Sequence, residues 1–191
     1  MPRNRSRERP AEPWRSFLKE LDRHLDMPVD LHCIGGFVVS QYYGLGRETA
    51  DLDILSVIPK HLAERITEVA GRGSTLRKKH RVSIDHVQVA NYPDSYESRL
   101  IRAFPYWKNI RLWALEPHDL ALTKLERCSE RDIQDIIYLA QAGLIRPDTL
   151  LARFEAEMEP YIVGRTTTWH RGTLDMWVRS CWPELFDPSS G

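Results

Sequence analysis

The sequence predicts an α/β (α+β) fold, in which a small mixed-sheet core with helices on one side is followed by an all-helical C-terminal part. Two observations predict it. Short segments rich in Val and Ile, typical of β-strands, occur only before residue 117 and alternate with segments of helical periodicity. From Pro117 onward, apolar residues recur only at helical spacing.

Length and composition indicate a globular protein. The 191 residues are 42% hydrophobic, and 27 basic residues balance 27 acidic ones. Zero net charge predicts neither a nucleic-acid coat nor a membrane-surface protein. Three widely spaced cysteines without a CxxC pair indicate reduced thiols in a cytoplasmic protein. No apolar run approaches the roughly 18 residues that a membrane-spanning helix needs, so no membrane partner is expected.

The N-terminus predicts a disordered basic tail over residues 1–13, because four arginines and two prolines stand there among almost no apolar residues. An alternative is an arm that contacts RNA weakly. A helix is expected from about Trp14, where apolar residues follow at helical spacing. We therefore divide the chain into the tail 1–13, a core at 14–116 and a helical part at 117–191.

The core should contain strands and helices in alternation. Strands are expected at 30–34, 51–58, 82–90 and 110–115. Helices are expected at 37–43 and 60–70, and a turn with a short helix should lie within 91–104. A basic run, RKKHR, occupies residues 77–81. The helical part should contain four helices, at about 117–127, 130–142, 147–158 and 166–182.

Two carboxylates begin the strand DLDILSVI. Because strand side chains alternate between faces, Asp51 and Asp53 should point the same way, with Leu55 and Val57 following on that face. Two carboxylates so placed repel each other unless a cation lies between them. Magnesium suits ligands that are all oxygen and keeps positions open for phosphate oxygens. The alternative is an acidic pair in a loop or helix cap ahead of an ordinary strand.

A third acid, Asp85, lies in the predicted strand VSIDHVQVA and should share a face with Val87 and Val89. An unpaired carboxylate on such a face costs several kcal/mol, which a metal or a cationic partner would remove. Asp85 is therefore either a site residue or one half of a structural salt bridge.

The pair Gly35-Gly36 lies between a predicted strand and a predicted helix. Backbone N–H groups that carry no side chain can approach a phosphate closely, and a helix start adds positive potential. Alone, a Gly-Gly pair indicates only a turn.

The run IGGFVVSQYYGLGRETADLDIL resembles the nucleotidyltransferase superfamily that includes DNA polymerase beta. Members show a Gly-Gly or Gly-Ser turn, a short helix, a DxD motif and a third acid on a later strand. The chain looks most like the small bacterial nucleotidyltransferases of the DUF6036 kind, relatives of the AbiEii and MenT toxins of toxin–antitoxin systems.

A second block, EPHDLALTKLERCSERDIQDIIYLAQAGLI, resembles the family's lysine-bearing helix followed by R-x-R-D-x-x-D. The two blocks cover roughly residues 30–58 and 116–145. The chain departs from the family pattern at two positions. Gly36 stands where the toxin relatives often have a phosphate-holding serine, and Ser129 stands at the first arginine position.

The resemblance implies roles for named residues. Asp51, Asp53 and Asp85 would bind Mg²⁺ (or Mn²⁺) and act in catalysis together with Lys124. A further set would bind the nucleotide: Gly35, Gly36, Arg47, Thr49, Asp132 and Asp135.

The helical part supports part of this assignment from its own pattern. Lys124 falls inside the apolar arc of the helix 117–127, and a lysine facing inward needs an anion. The candidates are a triphosphate or an acid such as Asp85 or Asp135. The alternative is a lysine at the edge of the arc whose amine reaches solvent. Asp132 also fits an N-terminal capping box with Ser129, which would be a structural role.

The function that we expect is metal-dependent transfer of a nucleoside monophosphate from an NTP to a hydroxyl acceptor. The first candidate is the toxin of a toxin–antitoxin pair, acting on RNA such as tRNA and partnered by an antitoxin protein. The second is a transferase that modifies a small molecule, such as an aminoglycoside, or a protein side chain. The third is a non-catalytic nucleotide- or partner-binding module. An intact acidic triad favours the enzymes, and the basic segments favour RNA.

Overall fold

The computed structural model describes residues 8–186. Residues 1–7 of the predicted basic tail therefore lie outside the described residues. The rest of that tail differs from the prediction, because Pro10 is buried and the Ala11 N–H donates a hydrogen bond of 2.9 Å to Gln41 Oε1. Pro10 and Ala11 thus pack onto the protein, and the partner of Ala11 lies 30 residues along the chain.

The chain forms two compact units. Of the described residues, the first unit, here called the sheet unit, contains 8–90 together with Leu100–Leu115. The second, the helical unit, contains Asn91–Arg99 and 116–186. The domain division predicted at residue 116 stays a prediction, and the segment Asn91–Arg99 groups with the later helices.

The sheet unit is built on five strands in the order β3-β2-β1-β5-β4. Their bounds are β1 Val29–Ile34, β2 Asp51–Ile58, β3 Ser83–His86, β4 Ile101–Ala103 and β5 Ile110–Ala114. The β1–β2 and β4–β5 pairs are antiparallel, whereas the β1–β5 and β2–β3 pairs are parallel. The predicted mixed sheet is therefore confirmed.

The sheet unit has helices at the three predicted places and a further helix that coincides with the basic run. They are α1 Trp14–Arg23, α2 Gly35–Phe37 continuing as a π-helix over Val38–Tyr42, α3 Ala63–Ala70 after a 3₁₀ turn at Lys60–Leu62, and α4 Thr75–His80. Trp14 anchors α1, since its ring lies 4.8 Å from that of Phe37 and its Nε1 donates to the Thr49 carbonyl. Trp14 therefore contacts both α2 and the loop before β2.

The predicted strand 82–90 is shorter than expected. Only Ser83–His86 forms β3, and Val89 is 83% exposed. β3 is an edge strand whose single neighbour, β2, offers a register of four residues, Asp51 to Ile54. The Val87 N–H still donates to the Ile54 carbonyl of β2, but the strand pairing ends there and Val89 is not part of a buried face.

The helical unit contains the four predicted helices. They are α5 Pro117–Leu122, α6 Glu130–Gln141, α7 Pro147–Glu157 and α8 Arg165–Cys181. The unit also includes 3₁₀ turns at Tyr96–Arg99, Glu159–Tyr161 and Pro183–Phe186. The helix predicted at 117–127 ends earlier, at Leu122, and continues as turns. The predicted capping box of α6 is confirmed, with Ser129 and Asp132 bonded to each other's backbone.

Within residues 8–186, no helix is both long and apolar enough to cross a membrane.

Candidate active site

The Gly-Gly turn lies directly against the acidic start of β2. Gly35 has a positive φ of 72°, and a Cβ added there would overlap the Asp53 carboxylate. Both observations require glycine, because an L side chain would be strained and would displace the acid. The backbone of the turn therefore lies in contact with Asp53, as the register Ile34↔Asp53 between β1 and β2 dictates.

The second glycine is approached by the two polar residues that precede β2. A Cβ on Gly36 would lie 3.3 Å from Arg47 Nη2 and 3.6 Å from Thr49 Oγ1. The structure thus brings together Gly35, Gly36, Arg47, Thr49 and Asp53 at one end of β2. Phosphate oxygens are bound by groups of these kinds: a guanidinium, a hydroxyl and backbone N–H groups that no side chain obstructs.

Asp51 and Asp53 share one face of β2, as predicted, and both are half-buried. Leu52 and Ile54 on the other face are buried. The prediction that Leu55 and Val57 continue the acidic face is wrong for Val57. A bulge between His32 and Cys33 leaves Leu55 without a partner in the register. The alternation of buried side chains along β2 therefore shifts by one residue there, and Val57 is buried together with Leu52 and Ile54.

The third acid is the direct neighbour of the second. β2 and β3 run parallel with Asp53 opposite Asp85 and Asp51 opposite Ser83. Adjacent strands lie about 4.8 Å apart, so Asp85 shares the sheet face of Asp51 and Asp53. Ser83 Oγ donates a hydrogen bond of 3.0 Å to Asp51 Oδ1, and Thr49 Oγ1 donates to the Asp51 carbonyl.

Asp85 has a cationic partner that sequence analysis missed. Arg72 Nη2 lies 2.8 Å from Asp85 Oδ2, and the two side chains are 71% and 42% exposed. Of the two alternatives for Asp85, an ion pair is present, whereas the expected apolar face is wrong for Val89, which lies in solvent. An exposed ion pair of this kind contributes about 0–1 kcal/mol, so it leaves Asp85 free to exchange partners.

The carboxylates suit a divalent cation by donor type. Within residues 8–186, no three Asp, Glu, His or Cys side chains are arranged closely enough to hold a metal ion. Asp51 and Asp53 nevertheless offer carboxylate oxygens from one strand face. Magnesium commonly takes one or two protein carboxylates and completes its shell with water and substrate phosphates. The donor set fits that mode of binding.

A basic cleft opens beside Asp51. It has a volume of about 580 Å³ and is lined by Asp51, Arg72, Arg77, Lys78 and Arg81. The sequence indicated only a basic run here. No local pattern identifies Arg72, which lies between Gly71 and Gly73, 13 residues before its partner Asp85.

In the helical unit, Lys124 is 4% exposed and its amine binds two acids. Nζ lies 3.1 Å from Asp132 Oδ1 and 2.8 Å from Asp135 Oδ2. The amine therefore does not reach solvent, and Asp135 is one of the two partners that the sequence suggested.

Asp132 is fully buried and accepts several other hydrogen bonds, from Arg127 at 2.7 Å and from Ser129 Oγ at 2.6 Å. Burial by itself would raise the pKa of Asp132. The Arg127 hydrogen bond and the charge of Lys124 outweigh that effect and hold the pKa well below its usual range. Asp132 and Asp135 thus act as ion-pair partners within this unit, and their contact with a nucleotide stays a prediction.

The sheet unit, with a glycine turn against an acidic strand end, is a small nucleotidyltransferase-like core. A family model described as nucleotidyltransferase of unknown function (DUF6036) matches residues 15–171. Because this match covers most of the chain, the protein belongs to that family. No curated protein and no solved structure matches the chain. The predicted nucleotidyltransferase family is confirmed, whereas the relationship to AbiEii and MenT stays a prediction.

Proposed function

We propose that the protein transfers a nucleoside monophosphate from an NTP to a hydroxyl group, with Mg²⁺ (or Mn²⁺) bound at Asp51 and Asp53. One observation carries the proposal. The Asp53 carboxylate lies against the backbone of Gly35, and Arg47 and Thr49 approach Gly36. Carboxylates for a cation and groups for a triphosphate are therefore adjacent, as phosphoryl chemistry requires.

The glycine turn would hold the donor. Its bare backbone admits phosphate oxygens, and the Arg47 guanidinium matches them in charge and in planar geometry. Thr49 is oriented by its hydrogen bond to the Asp51 carbonyl. When bound, the metal supplies positive charge that offsets the charge developing on the phosphates.

The transfer itself needs a proton acceptor. The acceptor's hydroxyl oxygen forms a bond to the α-phosphorus, the bond from that phosphorus to the bridging oxygen breaks, and pyrophosphate leaves with the electron pair. We assign the proton to Asp85. Arg72 contacts its Oδ2, and the half-exposed carboxylate can receive a proton on Oδ1.

The family resemblance also gives Lys124, Asp132 and Asp135 a part in nucleotide binding. Their contacts define what that part requires. The Lys124 amine is held by both carboxylates, so it must exchange one of them for a phosphate oxygen to contact the donor. Lys124 would then be catalytic through its charge, and the two acids would position it.

A finer form of the proposal makes RNA, such as tRNA, the acceptor. It makes the protein a cytoplasmic toxin that an antitoxin protein binds and neutralises. The support is the resemblance of the chain to small bacterial nucleotidyltransferases that are relatives of the AbiEii and MenT toxins, together with the basic cleft beside Asp51. Induced expression should then stop growth, and the Asp51→Asn, Asp53→Asn variant should not. Normal growth with the active protein would contradict the toxin role.

Labelled transfer tests the reaction. The protein is incubated with each α-³²P-labelled NTP, Mg²⁺ and either total RNA, an aminoglycoside or a protein mixture. Label on RNA supports the RNA acceptor, whereas label on the drug or on protein supports the alternative acceptors. The Asp51→Asn, Asp53→Asn variant should be inactive, and the exposed Asp26→Asn serves as a control that keeps activity. Nucleotide binding without transfer to any of these acceptors would favour the non-catalytic module.

Calorimetry tests the metal site separately. Titration of a non-hydrolysable NTP should show binding that depends on Mg²⁺. Equal binding by the wild type and by the Asp51→Asn, Asp53→Asn variant would remove the metal-site proposal.

Asp85→Asn tests the proton acceptor. Because Asp85 is exposed and weakly paired, the variant should fold normally and lose transfer by about 10²- to 10⁴-fold. Transfer at the wild-type rate by a folded Asp85→Asn protein would contradict the assignment.

A further inference from the structure

The basic cleft has a distinct composition. Its lining has four cations, Arg72, Arg77, Lys78 and Arg81, and a single acid, Asp51. A concentration of like charge in an open cleft attracts anions and raises their local concentration. The acid at its wall is one of the two residues that we propose as metal ligands.

Helical geometry divides the basic run 77–81 into two groups with different tasks. Lys79 and His80 turn toward α1, where Glu20 accepts from them at 2.7 and 2.9 Å. Arg77, Lys78 and Arg81 lie on the cleft instead. The first group therefore attaches α4 to α1, and the second is left for another partner.

The cations of the second group have no acidic partner in the part of the chain that the structure describes. Within residues 8–186, no acid forms an ion pair with Arg77, Lys78 or Arg81. Lys78 and Arg81 are exposed. Neighbouring positive charges without counter-charges repel one another, and an anionic ligand would relieve that repulsion.

The strand order places the cleft opposite the glycine turn. β2 lies between β1 and β3. On the β1 side, Gly35 contacts Asp53 and Arg47 approaches Gly36. On the β3 side, Arg72 binds Asp85 and the cleft begins at Asp51. The acidic strand end therefore has one phosphate-attracting region on each side.

We propose that the basic cleft binds the phosphodiester backbone of a nucleic-acid acceptor, whose terminal hydroxyl attacks the NTP held at the glycine turn. This inference rests on the proposed nucleotidyl transfer. An in-line displacement needs the attacking and leaving oxygens on opposite sides of the α-phosphorus. The glycine turn on the β1 side of Asp51 and Asp53 could hold the donor, and the cleft on the β3 side could hold the attacking hydroxyl. A polycationic acceptor such as an aminoglycoside would be repelled by the cleft.

The test compares two variants with equal loss of charge. The cleft variant is Arg77→Ala, Lys78→Ala, Arg81→Asn, in which asparagine is chosen because residue 81 has a φ of 62°. The control removes three exposed cations elsewhere in the sheet unit: Lys19→Ala, Arg23→Ala, Lys60→Ala. Since Arg77 is half-buried, a second variant, Lys78→Ala, Arg81→Asn, changes exposed side chains only.

Two binding measurements are made on the full-length chain. One is the fluorescence anisotropy of labelled single-stranded RNA and DNA oligonucleotides of about 12 nucleotides. The other is calorimetry of a non-hydrolysable NTP with Mg²⁺. We expect the cleft variant to bind oligonucleotide about tenfold more weakly or worse, with a salt dependence less steep by about two in log–log slope. The double variant should show part of that loss, and the control should match the wild type.

The outcomes separate this inference from the proposed function. Oligonucleotide affinity that is absent in the wild type, or equal in all variants, overturns the inference. Loss of NTP binding with unchanged oligonucleotide binding also overturns it, because the cleft would then hold the donor's triphosphate. If the wild type binds oligonucleotide through the cleft but no NTP, the proposed function fails and the cleft assignment stands. The RNA and DNA arms show which nucleic acid is preferred, and preference for either supports the inference.

Discussion

Two groups of aspartates in this protein differ in what surrounds them. In the sheet unit, Asp51, Asp53 and Asp85 lie half-exposed on one face at a strand end. In the helical unit, Asp119, Asp132 and Asp135 are at most 1% exposed and all form ion pairs with Lys or Arg. Identical side chains thus serve different purposes. A buried, ion-paired carboxylate stabilises one arrangement, whereas an exposed one remains available to a ligand.

Asp119 shows what the buried group does for the fold. It accepts from Arg99 at 2.8 and 3.1 Å and from Arg153 at 2.8 Å. Arg99 also binds Glu157 on α7. The segment Asn91–Arg99 belongs to the helical unit through these bonds, although it precedes the last two strands of the sheet unit.

The largest difference between the groups should appear with Asp53→Asn. We expect transfer activity to fall by about a thousandfold, equivalent to roughly 4 kcal/mol, because the residue beside the glycine turn would lose its charge. The free energy of unfolding should change by less than about 1 kcal/mol, as for other half-exposed positions. Initial rates with Mg²⁺ and urea unfolding measure the two quantities. An unfolded or fully active Asp53→Asn protein would remove the distinction.

Unlike Asp53→Asn, Lys124→Met should cost much of the free energy of unfolding. The change leaves Asp132 and Asp135 buried without their shared cation, which should cost about 3–5 kcal/mol of stability. Urea unfolding measures the loss. Adding Asp135→Asn should recover part of it, since one uncompensated charge is then removed. If Lys124→Met keeps the wild-type stability and loses transfer alone, the amine is catalytic and its ion pairs are of little structural value.

Acid should weaken the helical unit through Glu116. Burial acts to raise its pKa, but hydrogen bonds from His118 and Arg153 lower it from 4.5 to about 2. The folded-state pKa is depressed, so the stabilisation is complete above the unfolded value and is lost as pH falls from about 4.5 to about 2. The contribution is about 3 kcal/mol at most.

Free energies of unfolding measured from pH 6 to pH 2, at intervals of about half a pH unit, would show this loss. Glu116→Gln should be less stable near neutral pH and should lose less stability in acid. Parallel curves for the two proteins would contradict the assignment.

The smallest effect is expected for Arg72→Ala. The ion pair with Asp85 is exposed on both sides, so its removal should change stability by about 0–1 kcal/mol. Urea unfolding with Arg65→Ala, another exposed arginine of the sheet unit, provides the comparison. A loss of several kcal/mol would place Asp85 among the structural acids and undo the contrast between the groups.

Much of the local architecture was predictable from the sequence. The stripe from Trp14 to Leu21, the strand DLDILSVI and the capping box at Ser129 each appear where their patterns indicated. The shared face of Asp51 and Asp53 and the buried amine of Lys124 also follow from residue spacing. These features depend on neighbours within four residues, so periods of 2 and 3.6 are sufficient to identify them.

The partners across longer distances were not predictable in this way. The pairing of Asp53 with Asp85, the arginine on Asp85 and the bulge opposite Leu55 depend on which strands meet and in what register. The division of the basic run depends on Glu20, some 60 residues earlier in the chain. Local periodicity places acids and cations on faces. Which faces meet is decided by packing and loop closure across the whole chain, and no spacing within one segment records that.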